Sequence, residues 1–190
     1  MGRTAGTWRG VIGLGLLAGL AWAPARAEPR SYVIEPGRSQ IRFHAMSRLM
    51  NADGTFGRFS GEIELDDAHP ETASGQLGVD VASIDTGIRM RDRHLRSEDF
   101  SHAERFPRAT FVASTVRRQG DRWEVSGQLT IRGVTLPVTV PVTVTTAEGR
   151  LRIAGELTVN RQEFGVAYQS VLNPIHDEVR VRFDLVAVPR

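Results

Sequence analysis

WEVSGQLTIRGVTLPVTVPVTV, Trp123 to Val144, alternates apolar and polar residues almost without interruption. Successive side chains of a strand point to opposite faces, so this alternation gives an extended chain one apolar and one polar face. Trp123, Val125, Leu129 and Ile131 fall on one face, and Arg132-Gly133 then breaks the run. Val134, Leu136, Val138, Val140, Val142 and Val144 resume it. Two such runs of about ten residues joined by a two-residue turn predict an antiparallel hairpin. Strands this long would present exposed edges in an open sheet, and closing the sheet into a barrel removes them.

The same period extends outward in both directions. Ser39 to Ser47 places Ile41, Phe43 and Ala45 on one face, Phe59 to Leu65 adds Phe59, Ile63 and Leu65, and Gln76 to Ser83 adds Leu77, Val79 and Val81. Leu151, Ile153, Leu157 and Val159 follow, then Val179, Val181, Phe183 and Leu185. Asn51-Ala52-Asp53-Gly54, Gln119-Gly120-Asp121, Arg132-Gly133 and Glu148-Gly149 read as the turns between them. The pattern predicts an all-β fold, a single antiparallel barrel of about eight strands. Ala45, Gly61, Gly127 and Gly155 lie in phase with the large inward residues. They either relieve bending at barrel corners or leave interior volume, and a barrel of this size can hold one small ligand. Almost nothing in the inward phase is charged, so such a ligand would be apolar.

Residues 1–27 read differently. Arg3 and Arg9 precede an uncharged apolar run from Val11 to Trp22, and Ala25-Arg26-Ala27 has the small residues of a signal-peptidase site. The expectation is a cleavable signal peptide over 1–27, cut after Ala27, and one exported periplasmic domain over 28–190, with no stable membrane insertion. Glu28 follows the site where a lipoprotein would have Cys. Three of the 24 basic residues lie in this leader and all 22 acids lie beyond it, so the domain is close to neutral and nucleic acid is not an expected partner. The chain has no Cys, and all its basic residues other than His are Arg. Schiff-base lysines, thiol nucleophiles, CxxC pairs and disulfides are thereby excluded.

TGIRMRDRHLRSEDF, Thr86 to Phe100, stands apart by its density of charge. Ile88, Leu95 and Phe100 would pin a short helical segment, somewhere within 88–105, over one barrel end as a lid. His94, Glu98 and His102 are spaced four apart and on one continuous helix would form a zinc-like face. Ser101 followed by Glu104 reads as a capping box, however, which splits the segment into two turns. GRFSG, Gly57 to Gly61, lacks the spacing of a nucleophile elbow. His176-Asp177-Glu178 reads as a solvated turn entering the last strand.

Several ordered blocks carry a resemblance: SIDTG at Ser83 to Gly87, RDRHLRSEDF at Arg91 to Phe100, FPRATF at Phe106 to Phe111, GQLTIRGVTLPV at Gly127 to Val138, NRQEFGV at Asn160 to Val166, and a closing EVRVRFDL. Together they resemble the YceI family of bacterial periplasmic proteins over nearly the whole chain beyond the leader. The resemblance implies a lipocalin-like barrel whose apolar cavity holds a polyisoprenoid or similar long lipid, and it implies no reaction. The chain departs from the family's usual pattern at Ser47, where members often carry a His, and in a longer loop from Arg48 to Phe59.

The expected ligand is therefore a long-chain isoprenoid, an isoprenoid quinone or another fatty amphiphile, bound for carriage or storage, with no cofactor and no catalytic residue. Ile41, Phe43, Phe59, Val79, Val81, Phe111, Trp123, Val125, Leu129, Val140, Ile153 and Phe183 are its expected lining. Arg91, Asp92 and His94 are expected to form a head-group site or lid. A homodimer is left open. The rival reading is a metal-dependent hydrolase of an apolar substrate built on His94, Glu98 and His102.

Overall fold

The computed structural model describes residues 29–190, and the expected leader over 1–27 lies outside them. Eleven strand segments form one sheet: β1 Arg30–Ile34, β2 Gln40–Ser47, β3 Ala52–Phe56, β4 Phe59–Leu65, β5 Ser74–Asp80, β6 Ile84–Asp85, β7 Arg108–Gln119, β8 Arg122–Ile131, β9 Val134–Ala147, β10 Arg150–Asn160 and β11 Ile175–Pro189. Three pairs of these segments are single strands with a local break. Both β1 and β2 lie antiparallel on β11, through Ile34↔Ala187 and Arg42↔Arg182, and a 3-10 turn at Pro36–Arg38 separates them. β3 and β4 lie on β2 and β1 in turn, and β5 and β6 on β4 and β3. Counted this way the sheet has eight strands in chain order, each antiparallel to the next, closed where β1 and β2 meet β11.

Backbone groups freed at the breaks find partners, as buried polar groups must. Ser39 Oγ donates to the Glu35 carbonyl at 2.8 Å and accepts from Val186 N at 2.9 Å. At the break between β5 and β6, Asp80 accepts from Ala82 N at 2.9 Å and from Arg58 Nε at 2.8 Å.

Two expectations from the sequence are corrected here. Asn51 to Gly54 is not a turn: the chain reverses over Arg48 to Asn51, and Ala52–Phe56 is β3. Asp53 faces His44 across the pair with Nδ1···Oδ1 2.6 Å, and Gly54 lies opposite Phe43, whose ring would stand 2.5 Å from any Cβ placed there. Gly54 thus admits a ring, where a turn was expected. Gly127 and Gly155 play the same part, since the rings of Phe111 and Phe183 would each lie 2.7 Å from an added Cβ. They make room for aromatic cover, which neither of the two sequence readings anticipated.

The predicted helical segment near 88–105 is an α-helix, α1, over Arg89–Arg96 only, followed by irregular turns to Phe106. It bridges β6 and β7, at the barrel end that also carries the β2–β3, β8–β9 and β10–β11 connections. The opposite end carries the β4–β5, β7–β8 and β9–β10 connections and the C-terminus. Part of the interior is filled by a buried cluster of Tyr32, Ile34, Ile41, Phe59, Leu151, Leu185 and Ala187, four of which, Ile34, Ile41, Leu151 and Leu185, also face the remaining space.

Candidate functional site

Beside that buried cluster the barrel encloses a cavity of about 640 Å³, within the range of small-molecule sites. The period-two pattern supplies its wall. Ile41, Phe43, Val79, Val81, Phe111, Trp123, Val125, Leu129, Val140, Ile153 and Phe183 all line it. Phe59, the remaining wall residue expected from the sequence, is packed into the core and does not reach the cavity. On β7 a bulge between Ala113 and Thr115 shifts the inward phase, so Phe111 and Ala113 are followed inside by Val116. Polar lining residues are few and lie mostly toward the ends: Asp67, Ser74, Gln76 and Thr146 in one half, Ser101, Thr110, Arg132 and Arg161 in the other.

Leu95 and Phe100 close the helix end from above. Asp92, buried on α1, accepts from Thr86 N at 2.9 Å and Thr86 Oγ1 at 2.5 Å. Arg91 donates to Thr86 Oγ1 at 2.9 Å, to the Thr86 carbonyl at 3.0 Å and to the Asn51 carbonyl at 3.3 Å. Arg96 donates to the Ile84 carbonyl at 2.7 Å. His94 stands edge-on to Phe100 and Tyr168, with ring centroids 4.8 and 4.9 Å away, and its Nε2 lies 3.3 Å from Asp99. Arg91 and Asp92 therefore fasten the helix to β6 and the neighbouring loop, His94 props the cover from outside, and none of the three borders the cavity.

The arginines that do border it are Arg132 and Arg161. Arg161 is only 5% exposed and uses its whole guanidinium: it donates to the carbonyls of Val166, Tyr168, Ile175 and His176, and to Asp177 at 2.9 Å. It gathers the β10–β11 connection over the barrel end. Asp177, read from sequence as part of a solvated turn, is thus a partner of this buried cation and also accepts from Gln162 at 2.7 Å. A signal for Arg161 was present in the sequence, because it continues the inward phase of Leu157 and Val159. Arg132 donates to the Glu98 carbonyl at 2.8 Å and to the Gly165 carbonyl, joining the cover to the same connection, while its buried Nε has no partner among the described residues.

The zinc-like face of His94, Glu98 and His102 does not form. α1 ends at Arg96, and His102 has a positive φ of 48° and packs against Phe106. Among the described residues no three His, Asp or Glu side chains converge as a metal site requires.

A closed eight-stranded barrel around an apolar cavity, with a helical cover between its sixth and seventh segments, agrees with what comparison with known proteins finds. The YceI-like domain matches residues 32–187. The chain belongs to the YceI family. Curated relatives named Protein YceI, from Salmonella arizonae and Salmonella paratyphi B, are 39% identical over 87 residues, which is 46% of this chain and 46% of theirs; the match spans about half of these YceI relatives. Among solved structures, Burkholderia cenocepacia BcnA is 31% identical with a TM-score of 0.76, covering 80% of this chain and 98% of its own. A polyisoprenoid binding domain from Saccharophagus degradans, implicated in plant cell wall breakdown, is 19% identical with a TM-score of 0.66, covering 85% of this chain and 99% of its own, and shares the fold.

Proposed function

We propose that this YceI protein binds a long-chain apolar lipid, a polyisoprenoid or isoprenoid quinone, inside the barrel, and carries or stores it in the periplasm after export. The observation that carries this reading is the 640 Å³ cavity with its almost wholly apolar wall. Each CH₂ moved from water into such a wall contributes about 0.8 kcal/mol, so a chain of a few isoprene units binds tightly without a polar contact. The polyisoprenoid-binding relative of the same fold supports the ligand class. On this reading the protein acts by burial alone; among the described residues no metal cluster supports the hydrolase reading.

Filling the cavity tests this. Leu129→Trp combined with Ala113→Phe adds bulk from two adjacent strands that both border the cavity. Titration with a fluorescent polyprenyl probe should give saturable one-to-one binding to the wild type. A more than tenfold loss is expected in the variant, with its unfolding transition intact. Equal affinity in both would place the lipid elsewhere and overturn the proposal.

A further inference from the structure

Of the large apolar side chains exposed among the described residues, all but Val112 lie at the helix end of the barrel. Leu49 is 71% exposed, Met50 62%, Met90 79%, Val171 94% and Leu172 83%, and Ile88 stands beside them. They come from three separate elements that the hydrogen bonding ties into one arc. Leu49 N donates to Asn173 Oδ1 at 2.7 Å and Arg48 N to the Pro174 carbonyl at 3.0 Å, joining the β2–β3 turn to the β10–β11 connection. Arg91 reaches the Asn51 carbonyl, joining α1 to the same turn. Exposed apolar residues scattered singly need no explanation, whereas a set gathered at one rim marks a contact surface.

Charge selects the partner. Arg48, Arg89 and Arg93 are exposed on the same arc and take part in no ion pair among the described residues. Asp53 nearby is turned to His44, Asp85 to Gly87 N, Asp92 to Thr86 and Asp99 to His94, while Glu98 and Glu163 at the same barrel end are exposed and take part in no ion pair among the described residues. Beside the protruding apolar side chains of the β2–β3 turn and the start of α1 the exposed unpaired charges are arginines, the combination that suits a bilayer carrying anionic headgroups. Leu95 and Phe100 of the cover lie directly between this rim and the cavity.

We propose that the arc formed by the β2–β3 turn, the start of α1 and the β10–β11 connection docks on an anionic bilayer surface, so that lipid enters and leaves the cavity past the α1 cover. This rests on the lipid-binding reading above. It gives that reading a source for the cargo, since a long isoprenoid is dissolved in membrane and not in water.

Flotation of the wild-type protein with vesicles tests it, with the cargo of the same preparation measured by mass spectrometry. Co-flotation is expected with equimolar phosphatidylglycerol and phosphatidylethanolamine vesicles and much less with phosphatidylcholine. Replacing Leu49, Met50, Val171 and Leu172 together by Ser should weaken vesicle partitioning by more than about tenfold, because each apolar side chain gains from leaving water. Arg48→Gln with Arg89→Gln should lose about fivefold per arginine on anionic vesicles only. All six side chains are exposed on the turn, helix and connection at the barrel end and none borders the cavity, so both variants should keep their cargo. Protein that carries lipid yet floats with neither vesicle, or that floats equally well without the four apolar side chains, overturns the docking proposal. Capture of another protein by the arc in the absence of vesicle binding does so too. Protein without any lipid cargo instead overturns the lipid-binding reading beneath it.

Discussion

The barrel wall and the helix end are held together by different physics. The wall consists of ladder hydrogen bonds between neighbouring strands and of apolar side chains at every second position, so each contact is local and largely interchangeable. At the helix end, few groups of high specificity do the holding: Arg161 with four carbonyls and Asp177, Asp92 with Thr86, and Arg132 with Glu98 and Gly165. A wall of this kind tolerates change and shapes a volume. An end of this kind depends on single residues, and it carries the cover whose Leu95 and Phe100 line the cavity.

The sharpest way to break the contrast is Arg161→Leu. It leaves four carbonyls near the barrel end without this donor and Asp177 with Gln162 alone, and each buried group left unpaired costs about 1–3 kcal/mol, so a loss of about 3 kcal/mol is expected. Urea unfolding should register a loss of that size, along with release of the β10–β11 connection in hydrogen exchange. A loss below about 1 kcal/mol would mean that the end is held as loosely as the wall.

Legibility in the sequence divides along the same line. Period two exposed the wall because a strand's two faces are written in adjacent residues, and it placed Trp123, Val125 and Leu129 on the cavity side of β8 directly. The pattern failed where backbone geometry shifts the phase: at the β7 bulge, and at β3, where Gly54 makes way for Phe43. Most of the helix end was unreadable because its partners are distant in sequence or are backbone atoms, which no residue pattern reports. Arg161 bonds residues up to sixteen positions away, and Arg132 reaches Glu98 from thirty-four. Arg91, Asp92 and His94 stood out by charge, but what their charge does, fastening the cover, follows only from where Thr86 and Tyr168 come to lie.

Within the wall itself a second pair of substitutions sharpens the account. Phe59 packs in the buried core and stays out of the cavity wall, whereas Phe111 borders the cavity. Phe59→Ala should cost about 4 kcal/mol through the new void it leaves, and Phe111→Ala in lipid-free protein about 2 kcal/mol, since it only enlarges an existing space. Thermal or urea denaturation of both, side by side, checks this; equal costs would mean that the cavity is collapsed in solution.

The smallest effect concerns the outer face. Arg152 donates to both oxygens of Asp184, at 2.8 and 2.5 Å, and holds its carboxyl below the ordinary carboxylate range; Arg58 does the same for Asp80. A depressed pKa contributes stability that is complete above the unfolded value of about 3.9 and fades as pH falls through the folded value. Stability should therefore be flat from neutrality to about pH 5 and decline below about pH 4. Asp184→Asn should make that decline slightly shallower, a small change because the pair is solvent-screened. An unchanged acid limb would remove this pair from the account.

The central claim is that the enclosed space is a lipid site, and the most direct test is mass spectrometry of an organic extract of the protein purified without detergent from its native host, with metal analysis of the same sample. The account predicts one isoprenoid or similar long-chain lipid per protein, and none in the cavity-filled Leu129→Trp, Ala113→Phe variant. An extract empty of lipid, with a stoichiometric transition metal in its place, would contradict it.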